Sequence, residues 1–460
     1  MRHCAPGGAS APLVGVERTR LTVFIRNVFY TFSTEIAAIA GNFLIGVVLA
    51  RTLSPAERGI MVLVMTLPWT VISFVSLGLP QANIYLVGRK KRDARVVLGN
   101  TLVLAIILGA LSVVALTGME EALLRTALKG LPAEYWPLLM VLVPAFLVDV
   151  MLLSVLRARQ RFDLFNLRRL ATPVLLLAGF AIGLVLRQGG LSVAVGVYVA
   201  VTVLTVILSF LLTGRETPLT LAFDRRLTAD SLHFGLKSYL QNLVGKLNYR
   251  IDVYLLAFFL APEEVAFYGV ATSLAEVAWY IPNSVGVVLF PRLSNAPVEA
   301  IHRITAKVCR NTLALTGLII AGLLAVSWIL VPLAYGPDYR AAVPPLLILL
   351  PGVLSMAIYK VLTRNFTSRN RQQVSILASA VALALNLGLD WVLIPQWGVV
   401  GAAVASTVGY TAAGVVLLAF FLREAGIGWR EALLPRVDEL IGHWNWVKTN
   451  LRGLGQNAEV

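Results

Sequence analysis

Several long runs without a charged side chain constrain the fold more than any other feature of the sequence. The four clearest are residues 59–88, 96–119, 188–214 and 311–337, none of which contains Asp, Glu, Lys or Arg. A helix needs about 20 consecutive apolar residues to cross a bilayer, whereas a transmembrane β-strand needs about 10 in an alternating pattern. Because the runs are long and do not alternate, the sequence predicts an all-α integral membrane protein.

The composition agrees with this class and argues against others. Of the 460 residues, 58% are hydrophobic and 14% are charged, against roughly 25% charged in soluble domains. The net charge of +15 comes from basic residues scattered between apolar segments, so no nucleic-acid partner is expected. With two cysteines, four histidines and none of the common phosphate-binding or metalloenzyme motifs, we expect no cofactor, no metal and no enzymatic activity.

Hydropathy, together with the positions of Pro, Gly and charge, predicts twelve spans. They cover residues 25–50, 59–87, 96–118, 135–156, 169–187 and 190–213, and then 231–260, 264–291, 310–334, 341–362, 372–394 and 398–422. In the loops and the adjoining ends of these spans, Lys and Arg number 22 on one side of the membrane and 6 on the other. Because cytoplasmic loops are enriched in both residues, the two termini are predicted to be cytoplasmic.

The two halves of the chain resemble each other where the first helix of each half meets the second. LARTLSPAE at 49–57 and LAFFLAPEE at 256–264 share Leu, Ala, Leu, Pro and Glu at an offset of 207 residues. Both halves begin on the same side, which predicts two parallel repeats around a central cavity.

The predicted organisation has five parts: a cytoplasmic tail (1–24), an N-lobe of six helices (25–213), a cytoplasmic linker (214–230), a C-lobe of six helices (231–422) and a cytoplasmic tail (423–460). In the last part, apolar residues recur at spacings of 3 and 4 from Val437 to Leu451. This pattern predicts an amphipathic helix on the membrane surface.

The seventh span contains charges inside an apolar run. In LNYRIDVYLLAFFLAPEEVAFYG, residues 247–269, Arg250 and Asp252 occupy positions where a membrane helix is expected. On one continuous helix, two neighbouring arcs are polar: Lys237, Gln241, Asn248 and Asp252 on the first, and Tyr239, Asn242, Lys246, Tyr249 and Arg250 on the second. This amount of polar surface is typical of a membrane helix that lines a water-filled cavity. Arg250 and Lys246 are candidate anion ligands, unless Arg250 pairs with an acid on another helix and only fixes packing.

Three polar residues of the first span have two readings each. Glu35 and Asn42 are seven residues apart, share a face and could hold a proton or a sodium ion, although a packing partner for Glu35 explains it nearly as well. Arg51, at the outer end of this span, is either a cavity residue or an interfacial anchor.

Later spans contain further polar and small residues. Asp149 and Asp390 lie nearer helix ends, where snorkelling or capping is expected. Gly401, Ala405 and Gly409 follow one another at intervals of four, which predicts a close contact between helices.

Four stretches carry a family resemblance: LARTLSPAERGIM, LNYRIDVYLLAFFLAPEEVAFYGVA, VVLFPRLS and NLGLDWVLIPQWGVVGAAVAST. Together they resemble the polysaccharide transporter branch of the MOP exporter superfamily, the O-antigen-type flippases, over about residues 22–425. The resemblance implies a MATE-like fold of twelve transmembrane helices in two lobes forming a V, with a cationic central cavity and alternating access. The family's YRxD pattern maps onto Tyr249, Arg250 and Asp252.

The resemblance also implies a cargo and a location. The cargo would be an undecaprenyl-pyrophosphate-linked oligosaccharide, moved from the cytoplasmic to the periplasmic leaflet of a bacterial inner membrane. Expected partners are this substrate, membrane lipids and assembly proteins such as a polysaccharide polymerase. The substrate-binding candidates are Arg250, Asp252, Lys246, Tyr249, Asn242, Lys237, Gln241 and Arg51, and the ion-coupling candidates are Glu35 and Asn42.

Other functions remain open. A cation-coupled drug exporter of the same superfamily would have an acidic, aromatic cavity and often an Asp in the first helix, where this chain has Glu35. Lipid II flippases usually carry two further helices. A membrane glycan polymerase or ligase generally needs a sizeable outer loop, and the longest one here, 119–134, has sixteen residues. A scaffold without transport activity is the last alternative.

Overall fold

The computed structural model describes residues 33–434 except residues 89, 295 and 296. Within these ranges, the side chains at 237, 238, 240–242, 246, 287, 288, 291, 294, 298 and 299 lie outside the description. The described residues form helices and turns without a strand, which confirms the all-α prediction. The predicted N-terminal tail and the predicted amphipathic helix lie outside the described residues.

The first half of the chain forms eight helices in the described region. They are α1 (Ser33–Thr52), α2 (Pro55–Val75), α3 (Leu79–Gly88), α4 (Ala94–Gly118), α5 (Glu120–Arg125), α6 (Trp136–Ala158), α7 (Phe162–Phe180) and α8 (Leu191–Glu216). A π-helical turn, Ala181–Leu186, extends α7, and a 3₁₀ turn, Ala133–Tyr135, precedes α6.

The second half of the chain forms the remaining eight helices of the described region. They are α9 (Arg225–Leu247), α10 (Ile251–Phe259), α11 (Pro262–Ala275), α12 (Tyr280–Ser294), α13 (Val298–Tyr335), α14 (Val343–Ser368), α15 (Gln372–Ala425) and α16 (Trp429–Leu433). Nine of the described helices are long and apolar enough to cross a membrane. This is consistent with the twelve predicted spans, because α15 contains two of them and the seventh and eighth are divided into shorter helices.

The second predicted span is divided between α2 and α3 by a turn with two left-handed residues. Leu77 has φ 46° and Gly78 has φ 72°. A Cβ atom at Gly78 would lie 2.2 Å from the carbonyl oxygen of Gly235 in α9. Only glycine therefore fits this turn, both for its backbone angle and for the close approach of α9.

The sequence repeat reappears in the positions of two helix starts. Pro55 is the first residue of α2 and Pro262 the first residue of α11, at the offset of 207 residues. Proline is favoured at the first helical position because a backbone N–H there would have no partner within the helix, so its absence costs nothing. Ser54 and Glu57 add a capping box at the start of α2. The short sequence match thus corresponds to one local structure used twice.

α15 changes direction at Gly398, between the eleventh and twelfth predicted spans. Gly398 has φ 57° and ψ −136°, which is not a helical conformation. This region of backbone space is costly for residues with a Cβ atom, so glycine marks the boundary between residues 372–397 and 399–425.

The two parts of α15 lie in close contact through small residues. A Cβ atom at Gly401 would lie 2.2 Å from the carbonyl oxygen of Leu393, and one at Gly409 would lie 3.0 Å from that of Ala382. Ala405, between the two glycines, is fully buried. The predicted helix contact through these small residues is confirmed.

A buried ion pair joins three helices of the N-lobe. Arg168 of α7 donates to Asp149 of α6 at 2.8 Å and to Ser209 of α8 at 2.8 Å. Asp149 and Arg168 are each 4% exposed. Snorkelling or capping by Asp149 was the wrong expectation, because the carboxylate finds its partner on a neighbouring helix inside the protein.

Replacing Arg168 by Ala would leave the Asp149 carboxylate buried without its cation. We expect this variant to lose about 3–5 kcal/mol of unfolding free energy. The measurement is denaturant unfolding of the detergent-purified protein. Asp163→Ala is the control, since Asp163 pairs with Arg161 on the surface with a 62% exposed side chain, and we expect about 0–1 kcal/mol for it. Equal losses for the two variants would contradict the buried-pair interpretation.

Candidate functional site

The predicted seventh span, 231–260, is broken into α9 and α10. α9 ends at Leu247, α10 begins at Ile251, and Arg250 between them has φ −139° and ψ −6°. Treating this span as one continuous helix was therefore wrong, because the break redirects the side chains that follow it. Non-helical backbone at membrane depth occurs where it is buried in protein or lines a polar cavity.

Arg250 lies in this break with a loosely held guanidinium. Its Nη2 atom is 3.5 Å from Oε2 of Glu276, and its side chain is 46% exposed. Glu276 begins the 3₁₀ turn Glu276–Trp279 between α11 and α12. A guanidinium has five N–H donors, and this single contact is longer than a good hydrogen bond. Arg250 therefore has an acidic neighbour and retains donors for a ligand.

Two further basic side chains lie one helical turn apart on α14, at Lys360 and Arg364. Lys360 Nζ donates to Oδ1 of Asn283 at 3.0 Å, and it lies 4.8 Å from the ring centroid of Trp279 and 5.4 Å from that of Tyr249. Glu276 and Arg364 both lie within electrostatic range of Lys360. Lys360 is thus held by two ring faces and an amide. The acid near it, Glu276, is also the one that pairs with Arg250.

Three aromatic rings support this group from inside the C-lobe. Ring centroids are 5.1 Å apart for Tyr249 and Trp279, 5.6 Å for Trp279 and Tyr410, and 6.3 Å for Tyr249 and Tyr410. Such separations are typical of packed aromatic pairs. The cluster fixes Tyr249, the residue next to Arg250, on one side of the helix break.

The N-lobe contributes an ion pair to the same region. Glu35 of α1 pairs with Arg169 of α7, with side chains 33% and 38% exposed. Tyr280, the first residue of α12, lies within electrostatic range of Glu35, Arg169 and Glu276. The charged groups of the two lobes therefore meet near the start of α12. Glu35 has a packing partner, and its role as an ion-coupling residue stays a prediction.

We call these charged side chains of the described region the central site. Its basic members are Arg169, Arg250, Lys360 and Arg364, and its acidic members are Glu35 and Glu276. The basic groups outnumber the acidic groups by two. The central site therefore favours an anionic ligand.

Asp252 points away from the central site into a buried cluster of hydroxyl groups. The carboxylate accepts hydrogen bonds from the hydroxyl of Tyr268 and from Ser406 Oγ, the latter at 3.1 Å. The backbone N–H of Val253 donates to it at 3.0 Å. Asp252 is 2% exposed and Tyr268 is fully buried.

A second carboxyl group, Asp390, belongs to this cluster. Asp390 and Asn386 are fully buried, and Nδ2 of Asn386, with its amide oriented to donate, lies 3.1 Å from Oδ2 of Asp390. Oδ1 of Asp390 has no hydrogen-bond partner in the described residues. Snorkelling by Asp390 was thus the wrong expectation. Two buried carboxyl groups without a cation among their described hydrogen-bond partners form a set that suits the binding of a proton.

Not every predicted site residue can be placed. The side chains of Lys237, Gln241, Asn242 and Lys246 lie outside the described residues. Asn42 is exposed on α1, seven positions after Glu35. Substrate or ion binding by these residues stays a prediction.

Arg51 lies at the outer end of α1 and reaches the other lobe. Its guanidinium donates to the carbonyl oxygens of Leu333 and Ala334 at the end of α13, the second at 3.0 Å. The last carbonyls of a helix lack intrahelical partners and attract cations. Arg51 therefore joins α1 to α13 at the side of the membrane predicted to face outward.

Arg58 and Gly59, one turn into α2, close the same side more tightly. The Arg58 guanidinium is 5.1 Å from the ring centroid of Tyr335 and 5.0 Å from that of Tyr339, and Arg58 is 5% exposed. A Cβ atom at Gly59 would lie 1.7 Å from the carbonyl oxygen of Pro262. The outer ends of the two lobes are thus in direct contact.

Sequence reasoning missed three members of the central site. Arg169, Lys360 and Arg364 were counted with the loop residues that set orientation, but they lie inside α7 and α14. The spacing of Lys360 and Arg364, four apart in MAIYKVLTRNF, was the available signal. A pair of basic residues one turn apart before a helix end is as typical of an interfacial anchor as of a binding site.

The fold and site now allow a comparison with known proteins. A family model described as polysaccharide biosynthesis protein matches residues 24–296, more than half of the chain. The chain belongs to this polysaccharide biosynthesis family. Its resemblance to polysaccharide transporters of the MOP superfamily is thereby confirmed.

Two curated proteins are similar in sequence to this chain over part of its length. A protein named as a low-salt glycan biosynthesis flippase, from Haloferax volcanii, is 23% identical over 194 residues, 41% of this chain and 41% of that protein. A protein named as an O-antigen transporter, from Shigella flexneri, is 21% identical over 301 residues, 65% of this chain and 70% of that protein. The match therefore spans about two fifths of the length of the first relative.

Solved structures show the same fold for this family member. The lipid II flippase MurJ in an inward closed conformation has a TM-score of 0.71 at 15% identity, covering 88% of each chain. An inward-facing multidrug transporter of the MATE family has a TM-score of 0.62 at 16% identity, covering 87% of this chain and 98% of that one. The predicted two-lobed, MATE-like membrane fold is confirmed.

The contact between Gly59 and Pro262 yields a direct test of the outer closure. In Gly59→Ala the new Cβ atom would overlap backbone atoms of Pro262, so α2 and α11 must separate. We expect the distance between spin labels at two exposed outer positions, 125 in the N-lobe and 340 in the C-lobe, to shift to longer values. Pulsed electron paramagnetic resonance measures this distance. Gly196→Ala is the matched control, because nothing lies within 4 Å of a Cβ atom there, and an unchanged distance in Gly59→Ala would refute the closure.

Proposed function

We propose that the protein is a flippase that moves an undecaprenyl-pyrophosphate-linked oligosaccharide from the cytoplasmic to the periplasmic leaflet of a bacterial inner membrane. The single observation that carries the proposal is the half-exposed Arg250 in the helix break, with Lys360 and Arg364 beside it. Membership of the polysaccharide biosynthesis family supports the same conclusion. So does the name of the Shigella flexneri relative.

The chemistry of this cargo matches the charge of the central site. A pyrophosphate group carries negative charge on several oxygens, and guanidinium groups bind such groups with paired, charge-assisted hydrogen bonds. Glu276 contacts Arg250 at 3.5 Å, so an entering pyrophosphate can replace this carboxylate as the partner. The glycan would use the neighbouring amide and hydroxyl groups, while the prenyl tail stays in lipid between the lobes.

The same charges argue against the cation-coupled drug exporter. A cationic drug would need an acidic cavity, but Glu35 is already neutralised by Arg169. The remaining acid, Glu276, lies between Arg250 and Lys360. The electrostatics of the central site thus favour an anionic cargo over a cationic one.

Alternating access would require the outer contacts to open. Arg51, Arg58 and Gly59 of the N-lobe all contact the C-lobe on the predicted outer side. We infer that this arrangement is the state that receives cargo from the cytoplasmic side, with both termini on that side and residues 25–213 and 231–422 as the moving lobes. Cargo release would follow when these contacts separate.

We further propose that the carboxyl cluster, more than Glu35, couples transport to an ion. Asp252 and Asp390 are buried together without a basic partner among their described hydrogen bonds. Asp252 is two residues from Arg250 on the same broken span, so a proton or cation at the cluster can alter the helix break.

Arg250→Gln tests the central site directly. The variant removes the cation that would contact the phosphate, and we expect polysaccharide export to fall at least about tenfold, the loss of a charge-assisted hydrogen bond or more. Export is measured as surface polysaccharide in a cell that depends on this protein, at matched protein level in the membrane. Arg125→Gln is the control, because Arg125 is a surface residue with a 76% exposed side chain.

Two outcomes would contradict the proposal. Normal export by Arg250→Gln would remove the central site from the mechanism. Export of a cationic dye by wild-type protein, lost in Glu35→Gln and retained in Arg250→Gln, would favour the drug exporter instead.

A further inference from the structure

A pocket lies apart from the central site, between α9 and the end of the N-lobe predicted to face the cytoplasm. Its volume is about 670 Å³, within the range of small-molecule sites. Residues from α3, the α6–α7 turn and α9 line it. The polar and aromatic members are Gln81, Tyr85, Arg157, Gln160, Phe162 and Phe234.

Arg157 is the charged group of this pocket, and it pairs with no acid in the described part of the chain. Its guanidinium carbon lies 5.4 Å from the ring centroid of Phe165, and its Nε atom is buried without a hydrogen-bond partner among the described residues. The two nearest arginines in sequence are both occupied. Arg159 donates to the carbonyl oxygen of Glu216, and Arg161 pairs with Asp163.

An unpartnered guanidinium in a partly buried position is costly unless something completes its hydrogen bonds. Arg157 could have been neutralised as Arg161 is, since Glu216 and Asp163 lie in the adjacent segments. Both carboxylates are engaged by Arg161, while Arg159 donates to the carbonyl oxygen of Glu216 and to the Thr217 hydroxyl. The arrangement keeps one cation available on the wall of the pocket.

The backbone at the pocket has an unusual conformation. Gln160 has φ 60°, at the position after the end of α6 where glycine or asparagine is usual. A residue with a long side chain tolerates this region only at some cost in energy. Because the Gln160 side chain lines the pocket, the position supplies an amide beside Arg157 that glycine would not.

The opposite wall is a flat aromatic surface. Tyr85 of α3 stacks on Phe234 of α9, with ring centroids 4.0 Å apart and planes inclined by 7°. Rings of this kind are suited to contact the apolar faces of sugars or to exclude water from a charged group. The pocket therefore combines one free cation, two amides and an aromatic wall.

The pocket is connected to the central site through two elements. Arg157 lies within electrostatic range of Arg169, which belongs to the central site. Phe234 lies on α9, the helix that ends at the break containing Arg250. The pocket is therefore electrostatically coupled to a basic residue of the central site, and it shares a helix with the break that contains Arg250.

We propose that this pocket is a docking site for a phosphate or pyrophosphate group, which Arg157 holds before the group reaches the central site. The inference rests on the proposed function, since it assigns the pocket to the same cargo. Gln81 and Gln160 would donate to the remaining phosphate oxygens. The phosphate group could belong to a lipid headgroup or to a free phosphate compound, and the two sources are separated by experiment.

The test is calorimetric titration of the full-length protein in lipid nanodiscs with inorganic pyrophosphate and, separately, with decaprenyl pyrophosphate. Wild-type protein should show two sites and Arg250→Gln one. In the Arg250→Gln background, adding Arg157→Gln should weaken the remaining site about tenfold to a hundredfold, the loss of a hydrogen bond to a charged group. Adding Arg159→Gln instead is the control and should leave this site unchanged, because Arg159 is already bonded to Glu216 and Thr217.

Each outcome has a definite meaning. Unchanged binding in the double variant overturns the docking site, while wild-type protein without any site that Arg250→Gln removes would count against the proposed function. Binding of decaprenyl pyrophosphate but not pyrophosphate identifies a lipid headgroup, and equal binding identifies the phosphate alone. Recovery of binding in Arg157→Lys, with the unfolding temperature of wild type, shows that the charge matters and not the packing of Arg157.

Discussion

The break between α9 and α10 is the constraint on which the rest of the site depends. On a continuous helix, Arg250 would not lie at the meeting point of the two lobes. Asp252 would then project at a fixed angle relative to Arg250. With the break, Arg250 stays beside Glu276 near the start of α12, while Asp252 turns into the hydroxyl cluster around Tyr268. Two opposite charges only two residues apart thus reach separate environments, one open and one buried. α9 contacts α3 of the N-lobe and α15 of the C-lobe, and α10 packs against α15 as well.

The closure of the outer side follows from the sequence repeat. Pro55 and Pro262 begin equivalent helices, and the glycine one turn after Pro55 allows the backbone of α2 to touch Pro262 itself. A larger residue at position 59 could not pack at this distance. Around this contact, Arg51 and Arg58 bind α13 and the turn after it through carbonyl oxygens and ring faces, without an acidic partner among the residues that the structure describes. Contacts to carbonyl oxygens and ring faces are individually modest, which agrees with the proposal that this side opens during transport.

The sequence predicted the membrane class, the spans, the repeat and the family because these depend on local features: run length, turn residues and short motifs. It predicted Arg250 for the same reason, since a charge in an apolar run is visible without neighbours. It did not predict Lys360 or Arg364, because a basic pair near a helix end looks the same whether it faces water or a second lobe. It misplaced Asp149 and Asp390, whose surroundings are set by Arg168 on α7 and by Asn386 packed under Ser406. The pairing of polar groups that are distant in sequence leaves no local pattern in the sequence. The partners of these residues were therefore visible only in the structure.

The distribution of charge across the site explains how one protein can both attract and release an anion. The basic groups of the central site outnumber its acids by two, which favours an anionic ligand but leaves Glu35 and Glu276 in place as competing partners. A site of cations alone would bind the anion more tightly and release it more slowly, because each buried charge-assisted hydrogen bond adds to the barrier for dissociation. With Glu35 beside Arg169 and Glu276 beside Arg250, these two arginines would exchange one anionic partner for another as the proposed cargo leaves. The acids of the central site are therefore as much a part of a transport mechanism as its cations.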